Sequence, residues 1–209
     1  KNQPGNLKFL SFVSMNTTKN ATNTHTFSDL KQFISHVSDD PDTLLNYGRD
    51  WSRLYEPQAQ AIVFPESAEQ VQQLVHYANE RHIALVPSGG RTGMSGAALA
   101  LSGEIVVSFE RMNKILNFDP VEGSVVCQPG VVTQTLQEYA HEQGLFYPVD
   151  FGARGSSHIG GNISTNAGGI KVIRYGLTRN WITGLKVVTG KGDLLNLNNG
   201  LIKNATGYD

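Results

Sequence analysis

Apolar positions along the 209-residue chain change period several times, and each change predicts an element. After Phe27, the residues Leu30, Phe33, Ile34 and Val37 recur at helical spacing, which predicts a short amphipathic helix ended by the Pro41 region. The run "AQAIVFP" reads as a buried strand. Ser67 and Gln70 then form a capping box ahead of Val71, Leu74, Val75 and Ala78, one apolar helical face, and "IALVP" returns as a strand. That order is a strand–helix–strand unit. Two β-like runs follow, "EIVVSF" and "SVVCQP". Thr133 is placed to cap a helix whose face carries Leu136, Tyr139 and Ala140, with Gly144 as its stop. "LFYPV" reads as a strand, and "ITGLKVVTGKGDLLNL" as two strands joined at "GKGD". The class expected is α+β, with small sheets carrying helices.

Two glycine-rich tracts break this pattern, each directly after a strand: "PSGGRTGMSGAAL" from Pro87 and "DFGARGSSHIGGNISTNAGG" from Asp150. Glycine there lets consecutive backbone amides face an anion such as phosphate, although a chain reversal alone would also use it. Both tracts are longer than a turn requires and are interleaved with Ser, Thr and Asn. Familiar phosphate loops do not fit. Gly190-Lys191 is followed by Gly192 rather than Ser or Thr, and Gly90, Gly93 and Gly96 are spaced by three instead of as GxGxxG. "GMSGA" is a near miss for a nucleophile elbow with Ser95, which keeps a serine hydrolase open as an alternative. "HEQGL" lacks the second histidine of a zincin, so no metal site is expected.

Composition narrows the classes further. With 39% hydrophobic and 17% charged residues the chain can bury an ordinary core, and a net charge of −1 without a basic run offers nucleic acid or an anionic membrane no electrostatic purchase. No apolar run approaches the ~20 residues that would cross a bilayer, so the chain is expected to be soluble. Cys127, the single cysteine, lies in an apolar run; it is read as core packing and points to a reduced, cytoplasmic setting, possible attachment to a membrane arising only through an electron acceptor. Residues 1–24 are polar and are expected to be a disordered extension or a cloning remnant, with Met15 as a candidate natural start.

The two tracts, with "IKVIRYG" after the second and "KNATGYD" at the end, resemble the FAD-binding signatures of the vanillyl-alcohol-oxidase-type (PCMH) flavoproteins, and most closely their D-2-hydroxy-acid dehydrogenase branch. The resemblance runs from about Pro57 to Asp209. It implies an α+β FAD-binding domain over residues 25–209, built from subdomains of roughly 57–110 and 111–209 with FAD between them. It also implies a further FAD-contacting strand and a substrate-binding cap that the family carries past the point corresponding to Asp209. By this resemblance Pro87, Ser88, Gly89, Gly90, Arg91, Thr92 and Gly93 would wrap the FAD pyrophosphate, and Gly130 and Val131 would meet the adenine side. Ser156, Gly160, Gly161, Asn162, Thr165, Asn166 and Ala167 would follow the pyrophosphate and ribityl chain. A branched side chain at Gly90 is expected to fill the phosphate's space while leaving the fold intact. Some members tether FAD to a histidine in the first loop; Arg91 stands there, so the flavin is expected to be non-covalent. The implied activity is oxidation of a D-2-hydroxy acid, such as D-lactate or D-2-hydroxyglutarate, to the 2-oxo acid by hydride transfer to flavin N5, with electrons leaving to an unidentified acceptor. Because the family's base and substrate-orienting groups come chiefly from the cap, His158 is read as loop packing, Arg174 and Tyr175 as structural, and this chain alone as inactive. A non-catalytic flavin-binding fragment is the other reading.

Overall fold

The computed structural model describes residues 27–197. The polar opening stretch, Met15 and the closing segment Lys203–Asp209 lie outside them. A four-stranded sheet holds the first half in the order β1 (Val37–Ser38), β2 (Ala61–Val63), β4 (Ile105–Ser108) and β3 (Leu85–Ser88). β2, β4 and β3 run parallel, and β1 pairs antiparallel with β2. β2 and β4 are buried at every position, which is why their sequences are continuous apolar runs, Ser108 at the end of β4 excepted, rather than alternating ones. Ala61, Val63, Ile105 and Val107 face one way, onto Leu30, Ile34, Leu74 and Tyr77; Ile62 and Val106 face the other, onto Ala100 with Leu44 and Tyr47. Thus α2 (Ala68–Arg81) covers one face and α1 (Pro41–Tyr47) packs on the other.

The strand–helix–strand unit is present as β2–α2–β3, but β4 is inserted between its strands, a register that local sequence does not encode. Ser67 caps α2 by accepting from Gln70 N at 3.3 Å; Gln70 Oε1 accepts from Glu66 N at 2.7 Å, one residue earlier than a capping box places it.

The opening region departs from its periodicity. Residues Leu30–Gln32 form only a 3-10 turn, and Val37 enters β1 opposite Val63. Pro41 starts a helix instead of ending one. Asp40 Oδ2 accepts from both Thr43 N and Thr43 Oγ1 at 2.9 Å, and proline at the first helical position loses no hydrogen bond.

In the second half, β5 (Ile115–Asp119) and β6 (Ser124–Cys127) form an antiparallel hairpin, of which only β6 is apparent from the sequence. Asp119 Oδ1 closes its turn by accepting from Val121 N and Glu122 N. α3 (Thr133–Glu142) begins one residue earlier than expected: Val132 is its N-cap, and Thr133 turns inward. "LFYPV" is not a strand. Proline removes a ladder donor there, Pro148 is fully buried, and Gln137 Nε2 donates to Val149 O at 2.8 Å in place of a strand partner. Short helices α4 (Ile159–Ser164) and α5 (Val172–Tyr175) follow. The expected terminal hairpin is present as β7 (Leu185–Val188) and β8 (Leu194–Leu197). It docks on α2, where Gln72 Nε2 donates to Gly192 O at 2.8 Å and Asn79 Nδ2 to Gly190 O at 2.9 Å. Among the described residues no helix is long and apolar enough to cross a membrane.

Candidate functional site

β3 ends at Ser88, and the chain leaves the sheet as an irregular loop that reaches Ala100. Its start meets the second glycine tract. A Cβ at Gly90 would run into the Ser156 carbonyl oxygen and lie 2.9 Å from Ser157 Cα, while one at Gly89 would lie 3.4 Å from the His158 Cβ and 3.8 Å from its ring. Gly90 is therefore glycine because two backbones touch there, a different reason from the ligand space expected of it. Gly93 and Gly161 have no neighbour within 4 Å of a Cβ and face open space. Gly130 and Gly160 resemble Gly90 in this respect: the first abuts Phe109 O and Met112 O, the second Pro129.

Among the described residues, the backbone N–H groups of Gly90, Arg91, Thr92 and Gly93 donate to no acceptor. Four successive unpaired amides form a concentration of partial positive charge suited to an anion. Two orphaned side-chain atoms lie beside them: Ser88 Oγ, on a fully buried residue, and His158 Nδ1.

Arg91 takes a left-handed φ of 55°, returns its Nη1 to Gly89 O at 3.2 Å and lays its guanidinium 4.2 Å from the Tyr47 ring centre. Tyr47 in turn donates its hydroxyl to Glu110 Oε2 at 2.7 Å. Burial, together with the Arg91 charge, holds the His158 imidazole below its ordinary 6.5, against an opposing pull from Glu110. At neutral pH His158 is thus an uncharged, half-buried packing group, in keeping with its sequence reading.

The second tract spends most of its polar side chains on its own fold. Thr133 Oγ1 pairs with Ser157 Oγ at 2.7 Å, reaches Ser157 O at 3.2 Å and accepts from Asn162 Nδ2 at 2.6 Å, a buried knot joining α3 to α4. Thr165 Oγ1 donates to Gly161 O, and Asn166 Oδ1 accepts from Arg179 N. Val131 is buried in the core with Leu136 and Ile159, and its backbone is engaged as well, its N–H donating to Gln128 O and its carbonyl accepting from Ile159 N. Of the sequence-selected residues, Gly90 and Ser156 come together, with Gly89 against His158 beside them, whereas Asn162, Thr165 and Asn166 serve as internal braces. Ala167 belongs with them, its N–H donating to Asn162 O. Pro87 is exposed in β3 and has no side chain to offer a ligand but its ring.

Several residues escaped sequence reasoning. Asp50, nine-tenths buried, accepts from Ser52 N, Ser52 Oγ and Gly96 N, and the Ser52 hydroxyl above all holds its carboxyl below the usual range. The "DWS" triplet, an Asp with a hydroxyl two residues on, is the signal that could have found it. Asp150 is likewise buried and ion-paired, to Arg154 at 2.7 Å and Lys171 at 3.0 Å, across the two ends of the second tract. Cys127 and Tyr147 pack together in the α3 core, and burial pushes the Tyr147 phenol up to about 12. Ser95 is exposed, no helix follows it before β4, and no histidine or carboxylate among the described residues bonds to it, so nothing builds a nucleophile elbow. No metal-binding cluster exists among the described residues.

Comparison with known proteins gives a consistent picture. The family model described as "FAD binding domain" matches residues 59–198. A protein of Stutzerimonas stutzeri named D-2-hydroxyglutarate dehydrogenase is 64% identical over 173 residues, covering 83% of this chain and 37% of that protein. The mitochondrial D-2-hydroxyglutarate dehydrogenase of Bos taurus is 42% identical over 173 residues, covering 83% of this chain and 32% of its own. The chain thus spans about a third of the length of these relatives. Among solved structures, an alkyldihydroxyacetonephosphate synthase superposes with a TM-score of 0.75 at 26% identity, over 85% of this chain and 35% of that one. p-Cresol methylhydroxylase shares the fold, with a TM-score of 0.68 at 24% identity over 80% and 33%.

Proposed function

Because the chain belongs to the FAD-binding domain family, its model spanning residues 59–198, we propose that the seam between the two glycine tracts holds the pyrophosphate of FAD, non-covalently, for a D-2-hydroxy-acid dehydrogenase. One observation carries the reading: four successive unpaired amides, 90–93, stand beside the orphaned Ser88 Oγ and His158 Nδ1 where the tracts meet. A diphosphate needs many donors and tolerates little bulk, and these residues supply the one and avoid the other. The residues fit the group. Arg91 adds a fixed positive charge at the same loop. Gly130 and Val131 stand on the adenine side in this reading. The division into subdomains 57–110 and 111–209 belongs to it as well, although the β7–β8 hairpin returns to α2 of the first.

FAD, when bound, would supply the two-electron redox chemistry for oxidation of the hydroxy acid. What these residues contribute is binding and orientation: amides neutralise the diphosphate, the Thr133–Ser157–Asn162 knot keeps the second tract in place, and a neutral His158 fills the floor between the tracts. D-2-hydroxyglutarate is the substrate proposed, on the names carried by the Stutzerimonas stutzeri and Bos taurus relatives. The single thiol, Cys127, suits a reducing cytoplasmic setting.

Fluorescence titration with FAD and FMN tests the site. FAD binding with FMN at least tenfold weaker is expected, since only FAD carries a diphosphate. Equal binding of the two would overturn the pyrophosphate assignment.

A further inference from the structure

The ten residues from Gly90 to Leu99 are the least supported part of the proposed site. They form no strand or helix, and apart from the Arg91 bond to the adjoining Gly89 O, among the described residues only two hydrogen bonds tie them to the rest of the protein. Both come from one place. Trp51 N donates to Gly93 O at 3.0 Å, and Gly96 N donates to Asp50 Oδ2 at 3.1 Å. The third contact is the Arg91 guanidinium on the Tyr47 ring, again from this segment. Just past the loop, Ala100 N donates to Gly48 O at 2.9 Å. All four anchors precede residue 59, where the family model begins.

The segment is itself braced by hydrogen bonds and close contacts. α1 is locked by its Asp40 cap, and Gly48 follows with no room for a side chain, since a Cβ would lie 2.7 Å from the Pro57 Cβ. Asp50 is then held by Ser52, whose N–H and hydroxyl both donate to Oδ1, at 2.9 and 2.6 Å, which leaves Oδ2 aimed at Gly96. Tyr47 is fixed by its core contacts with Phe64 and by Glu110, itself just past β4. Charge runs through the whole contact: carboxylate to loop amide at one end, ring face to loop guanidinium at the other.

We propose that Tyr47–Ser52 is a clamp, lying ahead of the residues that the family model matches, that presets the first glycine loop for diphosphate, with Asp50 and Tyr47 as positioning residues. It rests on the assignment of that loop to the FAD pyrophosphate. A free loop of ten residues would have to be ordered at the moment of binding, at the expense of affinity; the clamp removes that cost beforehand. Neither residue touches the ligand. Their effect passes through Gly93, Gly96 and Arg91.

The test titrates FAD and ADP, which share only the adenosine diphosphate part, into the wild-type chain, Asp50→Asn, Tyr47→Leu and Tyr47→Phe by calorimetry, and follows amide hydrogen exchange at Trp51 and Gly96. In Asp50→Asn an amide NH2 would face the Gly96 N–H. Affinity for FAD and for ADP is expected to fall by the same factor, about tenfold, in Asp50→Asn and Tyr47→Leu. Tyr47→Phe, which keeps the ring face under Arg91, is expected to restore most of it, and faster exchange at Gly96 should accompany the loss in Asp50→Asn. A purely structural role would lower thermal stability in all three without matching FAD and ADP losses. Unchanged ligand affinity in Asp50→Asn and Tyr47→Leu, with the wild type binding normally, would overturn the clamp. Should Asp50→Asn fail to fold, the Leu-against-Phe contrast at position 47 decides alone. A wild type that binds neither ligand would instead overturn the pyrophosphate assignment, and the clamp with it.

Discussion

Alanine at Gly90 and at Gly93, three residues apart in one loop, should have opposite consequences for stability. At Gly90 the new methyl would be driven into the Ser156 carbonyl and would lie 2.9 Å from Ser157 Cα. That neighbour cannot easily retreat. Ser156 N and Ser157 N both donate to Ala153 O, at 2.9 and 2.8 Å, and Ser157 O accepts from Thr133 N at 2.9 Å. Relief therefore needs a displacement of about an ångström in one of two backbones, which places the cost at or above the top of the about 1–3 kcal/mol typical of overpacking. For a domain of this size, a loss of about 3 kcal/mol lowers the melting temperature by about 6–12 °C. Gly93 has no neighbour within 4 Å and its φ is not left-handed, so alanine there meets nothing and restricts the unfolded chain, a change of under about 1 kcal/mol in the stabilising direction. Urea unfolding followed by far-ultraviolet circular dichroism, with a thermal scan alongside, measures both. If Gly90→Ala were as stable as Gly93→Ala, the two tracts would not touch as described, and the reason given for glycine at position 90 would be wrong.

Thr133→Val keeps the shape of the side chain but strands Ser157 Oγ and Asn162 Nδ2 in the interior; at about 1–3 kcal/mol for each buried group left unpaired, a loss of about 2–5 kcal/mol is expected from denaturant unfolding. A loss under about 0.5 kcal/mol would mean that the knot carries no strain-free hydrogen bonds worth keeping. Asp150, with its carboxyl held below the ordinary 3.8 by Arg154 first and then Lys171, stabilises the fold above that value and ceases to do so as pH falls through its lower folded-state value. Asp150→Asn should therefore cost stability at neutral pH and lose less than the wild type on acidification below about pH 4, where melting temperatures of the two should converge. Parallel curves across that range would remove Asp150 from the account.

Much of the architecture is written locally. The apolar runs of β2 and β4, the Ser67-capped face of α2 and the "GKGD" hairpin follow from side-chain period, capping oxygens and turn glycine, which act over a few residues and so can be read from the chain alone. The first glycine tract was legible for the same reason: small residues after a strand announce that a backbone will be approached closely. What approaches it was not legible. Position 90 faces Ser156, sixty-six residues away, while position 93 faces open space, and identical residues at identical spacing conceal that difference. Local period also misled where a distant partner competed, as when Val37 left its helical pattern to pair with Val63, and Thr133 abandoned a cap for Ser157 and Asn162. Asp50 and Tyr47 carry no periodic signal at all; their roles exist only because the fold sets one turn of chain against the glycine loop. Local forces select the elements, and the burial of polar groups, which demands partners wherever the chain can supply them, decides what those elements finally hold.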